Sequence, residues 1–171
     1  MTTSSQDPAD VSVPKLKALP PLSLYIHIPW CLKKCPYCDF NSHAIKTADA
    51  QVPEAEYAAA LIRDLESALA EVWGRRLGSV FFGGGTPSVF SAQSIDRILT
   101  AVRMLLPLEP YAEVTLEANP GTFEADKFRD YRTAGINRLS IGIQSFDAQM
   151  LQRLGRIHND SEALRAVEIA H

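Results

Sequence analysis

Apolar and polar positions along the chain change period repeatedly, from the alternation of a strand to the three-and-four spacing of a helix. Residues 22–28 alternate and carry isoleucine and tyrosine, predicting a first strand that Pro29 stops. A connection to about Pro53 follows, long enough to mark a candidate functional loop. Residues 54–73 then place Leu61, Leu65, Leu69 and Val72 on one helical face, with Arg63, Asp64, Glu66 and Glu71 mostly on the other. A second unit starts at Gly78: residues 79–82 read as a buried strand running into Gly83-Gly84-Gly85-Thr86-Pro87. Ser91 is placed to cap a helix to about Leu106, with Ile95, Ile98, Leu99, Val102 and Leu105 inward, ended by Pro107 and Pro110. Residues 113–117 predict a third strand, broken at Asn119-Pro120-Gly121, and Thr122 opens a helix to Ala134 that Gly135 ends as a left-handed cap. Residues 138–143 predict a fourth strand. After Gln144-Ser145-Phe146, Asp147 caps a short helix to Leu154, and a last helix begins at Ser161.

Four strands alternating with helices predict an α/β fold in which helices cover the outer face of a parallel sheet. The strands are apolar almost throughout, and the unusual residues fall at their carboxyl ends. Three cysteines follow the first strand, the triple glycine the second, Glu117 ends the third and Gln144 follows the fourth. In barrels and open α/β sheets, sites assemble at that rim, so these features are expected to converge.

Composition narrows the setting. The apolar content of 46% and charged content of 22% in 171 residues suit one globular domain. A net charge of −3 without a basic run gives no case for nucleic acid. No apolar stretch approaches the about 20 residues of a membrane span. Residues 1–21 are polar and interrupted by Pro8, Pro14, Pro20 and Pro21, without the apolar core of a signal peptide, and predict a disordered N-terminal tail. Three clustered cysteines and no others argue against a disulfide scaffold and for the reducing cytoplasm.

Those cysteines, Cys31, Cys35 and Cys38, are spaced C-x3-C-x2-C. Three thiolates on a short loop can hold three irons of a [4Fe–4S] cube and leave the fourth iron open, because the chain has no fourth cysteine. A zinc site or chance clustering is the alternative, although zinc sites usually show four ligands in two pairs.

The spacing, with an aromatic residue before the last cysteine, resembles the signature of the radical S-adenosylmethionine (SAM) superfamily. The wider run Tyr25-Ile26-His27-Ile28-Pro29-Trp30-Cys31, continuing Cys35-Pro36-Tyr37-Cys38-Asp39-Phe40, is similar to the branch containing oxygen-independent coproporphyrinogen III oxidase and a related heme chaperone. The resemblance covers about residues 22–158. It implies a partial (β/α)6 barrel with about four units present, residues 22–171 forming the N-terminal part of a truncated core whose fourth strand keeps an open edge. It further implies that the amino and carboxylate groups of SAM occupy the open iron.

Each remaining candidate has a structural reading beside the one the resemblance implies. Gly84, Gly85 and Thr86 form a tight strand–loop turn or receive the SAM amino group. Glu117 is a solvated strand-end acid or a SAM contact. Gln144 closes its loop or bonds SAM. Arg156 is a surface arginine or grips the SAM carboxylate with its planar fork. Tyr25 is expected to point opposite Ile26, beside His27, with its hydroxyl needing a partner. The resemblance puts Tyr25 at SAM and Tyr37 against the adenine, and sets a further ribose-binding acid beyond His171. His27 and His158 read as hydrogen-bonded structure, not heme ligands.

Two functions follow from the resemblance. The oxidase decarboxylates propionate side chains oxidatively to give protoporphyrinogen IX. The chaperone uses the same platform to bind heme and deliver it to hemoprotein acceptors. Either needs an electron donor for the cluster. The oxidase carries a further cysteine two positions after the third, where this chain has Phe40, as the chaperone does. The heme-chaperone reading is therefore favoured, with the heme ligand outside this chain.

Overall fold

The computed structural model describes residues 17–45, 52–120 and 125–171. Most of the tail expected over 1–21 lies outside the described residues, as do residues 46–51 of the long connection and Thr122. The main sheet has four parallel strands, β1 (Leu22–Ile28), β4 (Leu77–Gly84), β5 (Leu108–Ala118) and β6 (Arg138–Ile141), each beside the one before it. Three helices join them: α1 (Glu54–Val72), α2 (Ala92–Leu105) and α3 (Ala125–Ala134). Two further helices, α4 (Ala148–Arg153) and α5 (Asp160–Ala170), follow β6. Among the described residues no helix is long and apolar enough to cross a membrane.

Side chains alternate across a strand, and here alternation separates two environments. Ile26, Ile28, Val80, Phe82, Val114 and Leu116 face the helices and join one core with Ile95, Ile98, Leu99 and Val102 of α2 and Phe128 and Tyr131 of α3. Leu61, Leu65 and Leu69 of α1 pack against that core, confirming the helical stripe. Each fully buried large side chain contributes about 1.5–3 kcal/mol. Tyr25, His27, Phe81 and Glu117 occupy the intervening positions on the other face, which no helix covers among the described residues.

The helix signals hold. The Ser91 hydroxyl accepts the Ser94 N–H at 3.2 Å as N-cap of α2, and the Glu54 carboxylate accepts from Ser91 N and Oγ at 2.9 and 2.5 Å, tying the start of α1 to that cap. Gly135 ends α3 at φ 112°, a conformation that a side chain resists. Asp147 caps α4 through the Met150 N–H at 2.9 Å, and Asn159 and Glu162 make a reciprocal capping box on α5.

Several features differ from expectation: β4 runs from Leu77 to Gly84, two residues beyond the expected 79–82 at each end. β5 begins at Leu108 rather than Glu113, running through Pro110, because the pairing shifts between Leu77↔Leu108 and Ser79↔Glu113. Such an irregularity tolerates a proline that has no N–H to donate. β6 stops at Ile141 rather than residue 143, since the backbone folds there into two tight turns, Ile143 N–H to Ile141 O and Ser145 N–H to Ile143 O, each 2.9 Å. The cysteine connection is also not wholly irregular: β2 (Trp30–Cys31) and β3 (His43–Ala44) pair in parallel and close its base.

Candidate functional site

The strand register sets the site. Ile28 lies opposite Gly84, Phe82 opposite Leu116, and Ala118 opposite Ile141, so four strand ends come level at one rim. The loops leaving that rim enclose a cleft of about 320 Å³. Cys31, Cys35 and Cys38 line it together with Tyr37, Gly84, Gly85, Thr86, Glu117, Gln144 and Arg156. Of the residues assigned from the sequence to the cluster or SAM, Tyr25 alone lies outside that lining.

The cysteine loop is held at both ends. His43 N–H donates to Pro29 O at 2.7 Å and Ile45 N–H to Cys31 O at 2.9 Å, zipping β2 to β3. Cys35-Pro36-Tyr37-Cys38 forms a turn, with Cys38 N–H on Cys35 O at 3.1 Å and proline at the position where its fixed φ helps. The Lys34 ammonium donates to Ser42 O and Phe40 O at 3.1 and 3.3 Å, drawing the far limb inward. Trp30 is clamped edge-on by Tyr57 and stacked on Phe90, with ring centroids 4.7 and 5.8 Å away, anchoring the loop to the core.

The glycine turn is built against that loop. Gly85 N–H donates to Ile28 O and Thr86 N–H to Trp30 O, both at 2.8 Å. A Cβ on Gly85 would lie 2.6 Å from Trp30 O, so no side chain fits. Gly84 adopts φ 115° and packs against the His27 ring, where a Cβ would lie 2.7 Å from two ring atoms. The glycines are thus required by the scaffold, while their cleft-facing surface stays free for a ligand.

His27 and Tyr25 form a short chain on the uncovered face. The Tyr25 hydroxyl lies 3.0 Å from His27 Nδ1, and His27 Nε2 lies 2.7 Å from Asn41 O. A carbonyl only accepts, so Nε2 carries the proton and Nδ1 accepts the phenol. Tyr25 therefore has the hydroxyl partner expected of it, points opposite Ile26, and stacks on Phe81 with centroids 6.2 Å apart. Burial, and then the negative Glu117, raise its pKa.

Glu117, at the end of β5, accepts from the Gly84 N–H. Burial pushes its carboxyl above the ordinary carboxylate range, the Gly84 bond opposing this. Gln144 sits at φ 70°, left-handed and uncommon for a residue with a side chain. Its neighbours are held in place: Arg156 Nη2 donates to Gly142 O at 2.6 Å, and His158 Nε2 to Ile143 O at 3.0 Å. Burial first lowers the His158 pKa, with the Arg156 charge acting in the same direction.

Arg156 is not the free surface residue that is its default. Its Nη1 donates to Cys35 Sγ at 3.3 Å and its Nη2 to Asn119 Oδ1 at 2.5 Å, while Nε is buried without a partner. The Tyr37 hydroxyl faces the same pair. Burial and then Cys35 raise its pKa, and Arg156 opposes them. Asn119 also donates to Thr86 Oγ1 at 3.0 Å, so it joins the arginine to the glycine turn. Asn119, Lys34 and Ser42 were missed from the sequence. The one signal for Asn119 was its place in the strand-ending Glu117-Ala118-Asn119-Pro120.

Among the described residues no three His, Cys, Asp or Glu side chains gather tightly enough to hold a single ion. The three free thiols instead border one cleft. That suits a cube, which takes one thiolate at each of several corners. A guanidinium N–H on one sulfur and an unspent, buried Nε supply the positive surroundings such an anionic group requires.

Comparison with known proteins agrees with this geometry. The chain is 56% identical over 152 residues to the heme chaperone HemW of Escherichia coli, covering 89% of this chain and 39% of that protein. It is 41% identical over 145 residues to a bovine protein, radical S-adenosyl methionine domain-containing protein 1, mitochondrial, covering 85% of this chain and 32% of that one. The structure of coproporphyrinogen III oxidase (HemN) from Escherichia coli superposes with a TM-score of 0.78 at 29% identity, covering 88% of this chain and 34% of that chain. The chain thus spans 39% of the length of the first of these relatives. The model of the radical SAM superfamily matches residues 25–171, and the chain belongs to that superfamily.

Proposed function

We propose that this chain carries the cluster and SAM platform of a heme chaperone, as the N-terminal part of its core, acting in the cytoplasm. The observation that carries this reading is the 56% identity to the Escherichia coli heme chaperone, against 29% to the coproporphyrinogen oxidase structure. Phe40, which is exposed where the oxidase has a cysteine, supports the same choice.

In this reading Cys31, Cys35 and Cys38 hold a [4Fe–4S] cluster. When bound, the cluster supplies electrons to SAM, and an external donor must replenish them. Gly84, Gly85 and Thr86 offer backbone to the methionine end of SAM. Glu117, whose carboxyl burial pushes above the ordinary carboxylate range, accepts from a SAM donor group. Gln144, set in its unusual backbone conformation by the clasped loop, bonds a ribose hydroxyl. Arg156, which lines the cleft with its charge, faces the SAM carboxylate, Tyr37 borders the adenine, and Tyr25 reaches SAM from the uncovered face. Heme is cargo passed to hemoprotein acceptors. His27 and His158 are left out of its ligation, since each is committed to a backbone carbonyl.

The test is anaerobic reconstitution of protein carrying this sequence with iron and sulfide, followed by two assays on one preparation. Heme titration should give stoichiometric binding, and coproporphyrinogen III should be returned unchanged. Turnover of the porphyrinogen would establish the oxidase instead. Tetrahedral zinc in anaerobically purified protein would overturn both.

A further inference from the structure

The Arg156 side chain reaches three of the loops on the rim, at Cys35, Asn119 and Gly142. Its backbone N–H donates to Leu151 O at 2.9 Å, at the end of α4. The neighbouring Gly155 packs on the cysteine turn, where an added Cβ would lie 2.9 Å from Pro36 Cδ. Both hydrogens of Nη2 are spent, one on Asn119 Oδ1 and one on Gly142 O, at 2.5 and 2.6 Å. A planar guanidinium fixed at one nitrogen has no freedom to turn. The direction of Nη1 is therefore dictated, and it points at Cys35 Sγ, 3.3 Å away.

We propose that Arg156 is a positioning residue for the cluster, donating a charge-assisted hydrogen bond to the Cys35 sulfur and so raising the potential at which the bound cluster accepts an electron. The inference rests on the cluster reading above and goes beyond it, because it concerns a bond made to the protein's sulfur, not to SAM. One-electron reduction adds negative charge to the cluster and its thiolates without breaking a bond. A positive donor on a ligand sulfur stabilises that charge, and hydrogen bonds to sulfur are among the levers that set such potentials. The Cys35 sulfur has a second neighbour in the Tyr37 hydroxyl, so Arg156 is not alone in acting on it.

The test uses anaerobically reconstituted wild type, Arg156→Lys, Arg156→Gln and Asn119→Ala. Iron and sulfide are counted first, and each protein is then titrated with dithionite under EPR in the absence of SAM. Without SAM, a lost SAM contact cannot move the result. Arg156→Gln should make reduction at least tenfold less favourable, about 59 mV more negative for one electron. Arg156→Lys keeps the charge without the fork and should shift less. Asn119→Ala, which releases the guanidinium from one of its two anchors, should shift in the same direction by the smallest amount. Should neither Arg156 variant retain the cluster, the Asn119→Ala titration decides by the same sign. A wild type that takes up no iron defeats the cluster reading itself. Variants with full iron content that titrate at the wild-type potential defeat this inference alone.

Discussion

The two faces of the sheet are made from the same strands and do opposite work. Towards the helices, Ile26, Ile28, Val80, Phe82 and Leu116 are each no more than 4% exposed and bear no polar atom on the side chain. On the other face, alternate residues of those strands are Tyr25, His27, Phe81 and Glu117, partly open to solvent and tied by hydrogen bonds or stacking. One column of residues provides cohesion and the other chemistry, and the twofold period of a strand keeps them from mixing. Changes on the two faces should therefore be read out by different measurements.

The sharpest separation should come from the cysteines. Alanine at Cys31, Cys35 or Cys38 is expected to cut iron bound after reconstitution more than tenfold, with the far-UV circular dichroism unchanged. Next comes a pair of neighbours, Phe82 and Phe81. Phe82 is fully buried, and Phe82→Ala should cost about 3–5 kcal/mol in denaturant unfolding. Phe81→Ala on the open face should cost about 1 kcal/mol, mostly its stacking on Tyr25. Equal costs would dissolve the distinction between the faces.

Glu117→Gln tests whether the chemical face carries a stability burden. Burial raises the Glu117 pKa in the fold, so the folded form favours the protonated acid. That favourable contribution is complete below the unfolded value and lost as pH rises through the raised one. The glutamine variant should then equal or exceed wild type at pH 7, by less than about 1 kcal/mol, with its relative advantage shrinking in acid. SAM affinity, followed by equilibrium dialysis, should fall in the same variant. The smallest effect is expected at His158. Its pKa is lowered, so its contribution is complete above the ordinary histidine value and lost as pH falls below it. Amide protection around residues 142–145, corrected for the intrinsic rate of exchange, should weaken as the pH falls below about 6.5, and His158→Gln should remove that dependence.

How much of this was legible in sequence differs between the same two regions. The covered face was readable because burial imposes a period: the stripe Leu61, Leu65, Leu69 and the caps Ser91 and Asp147 all appear as expected. The convergence of cysteines, glycines, Glu117 and Gln144 on one rim was readable from the polarity of parallel strands. What was not readable depends on contacts remote in sequence. Arg156 meets Cys35 across 121 positions, and nothing local distinguishes it from a solvated arginine. The two-residue pairing of β2 with β3 is too short to leave an alternation, and Gln144 shows no glycine or asparagine to announce its left-handed backbone.

The paired amides of Gly85 and Thr86, bonded to Ile28 O and Trp30 O, carry a kinetic corollary. The walls of the cleft that meet there are stitched by a common seam, and breathing of that seam would surface as joint deuterium uptake at the Gly85 and Thr86 amides.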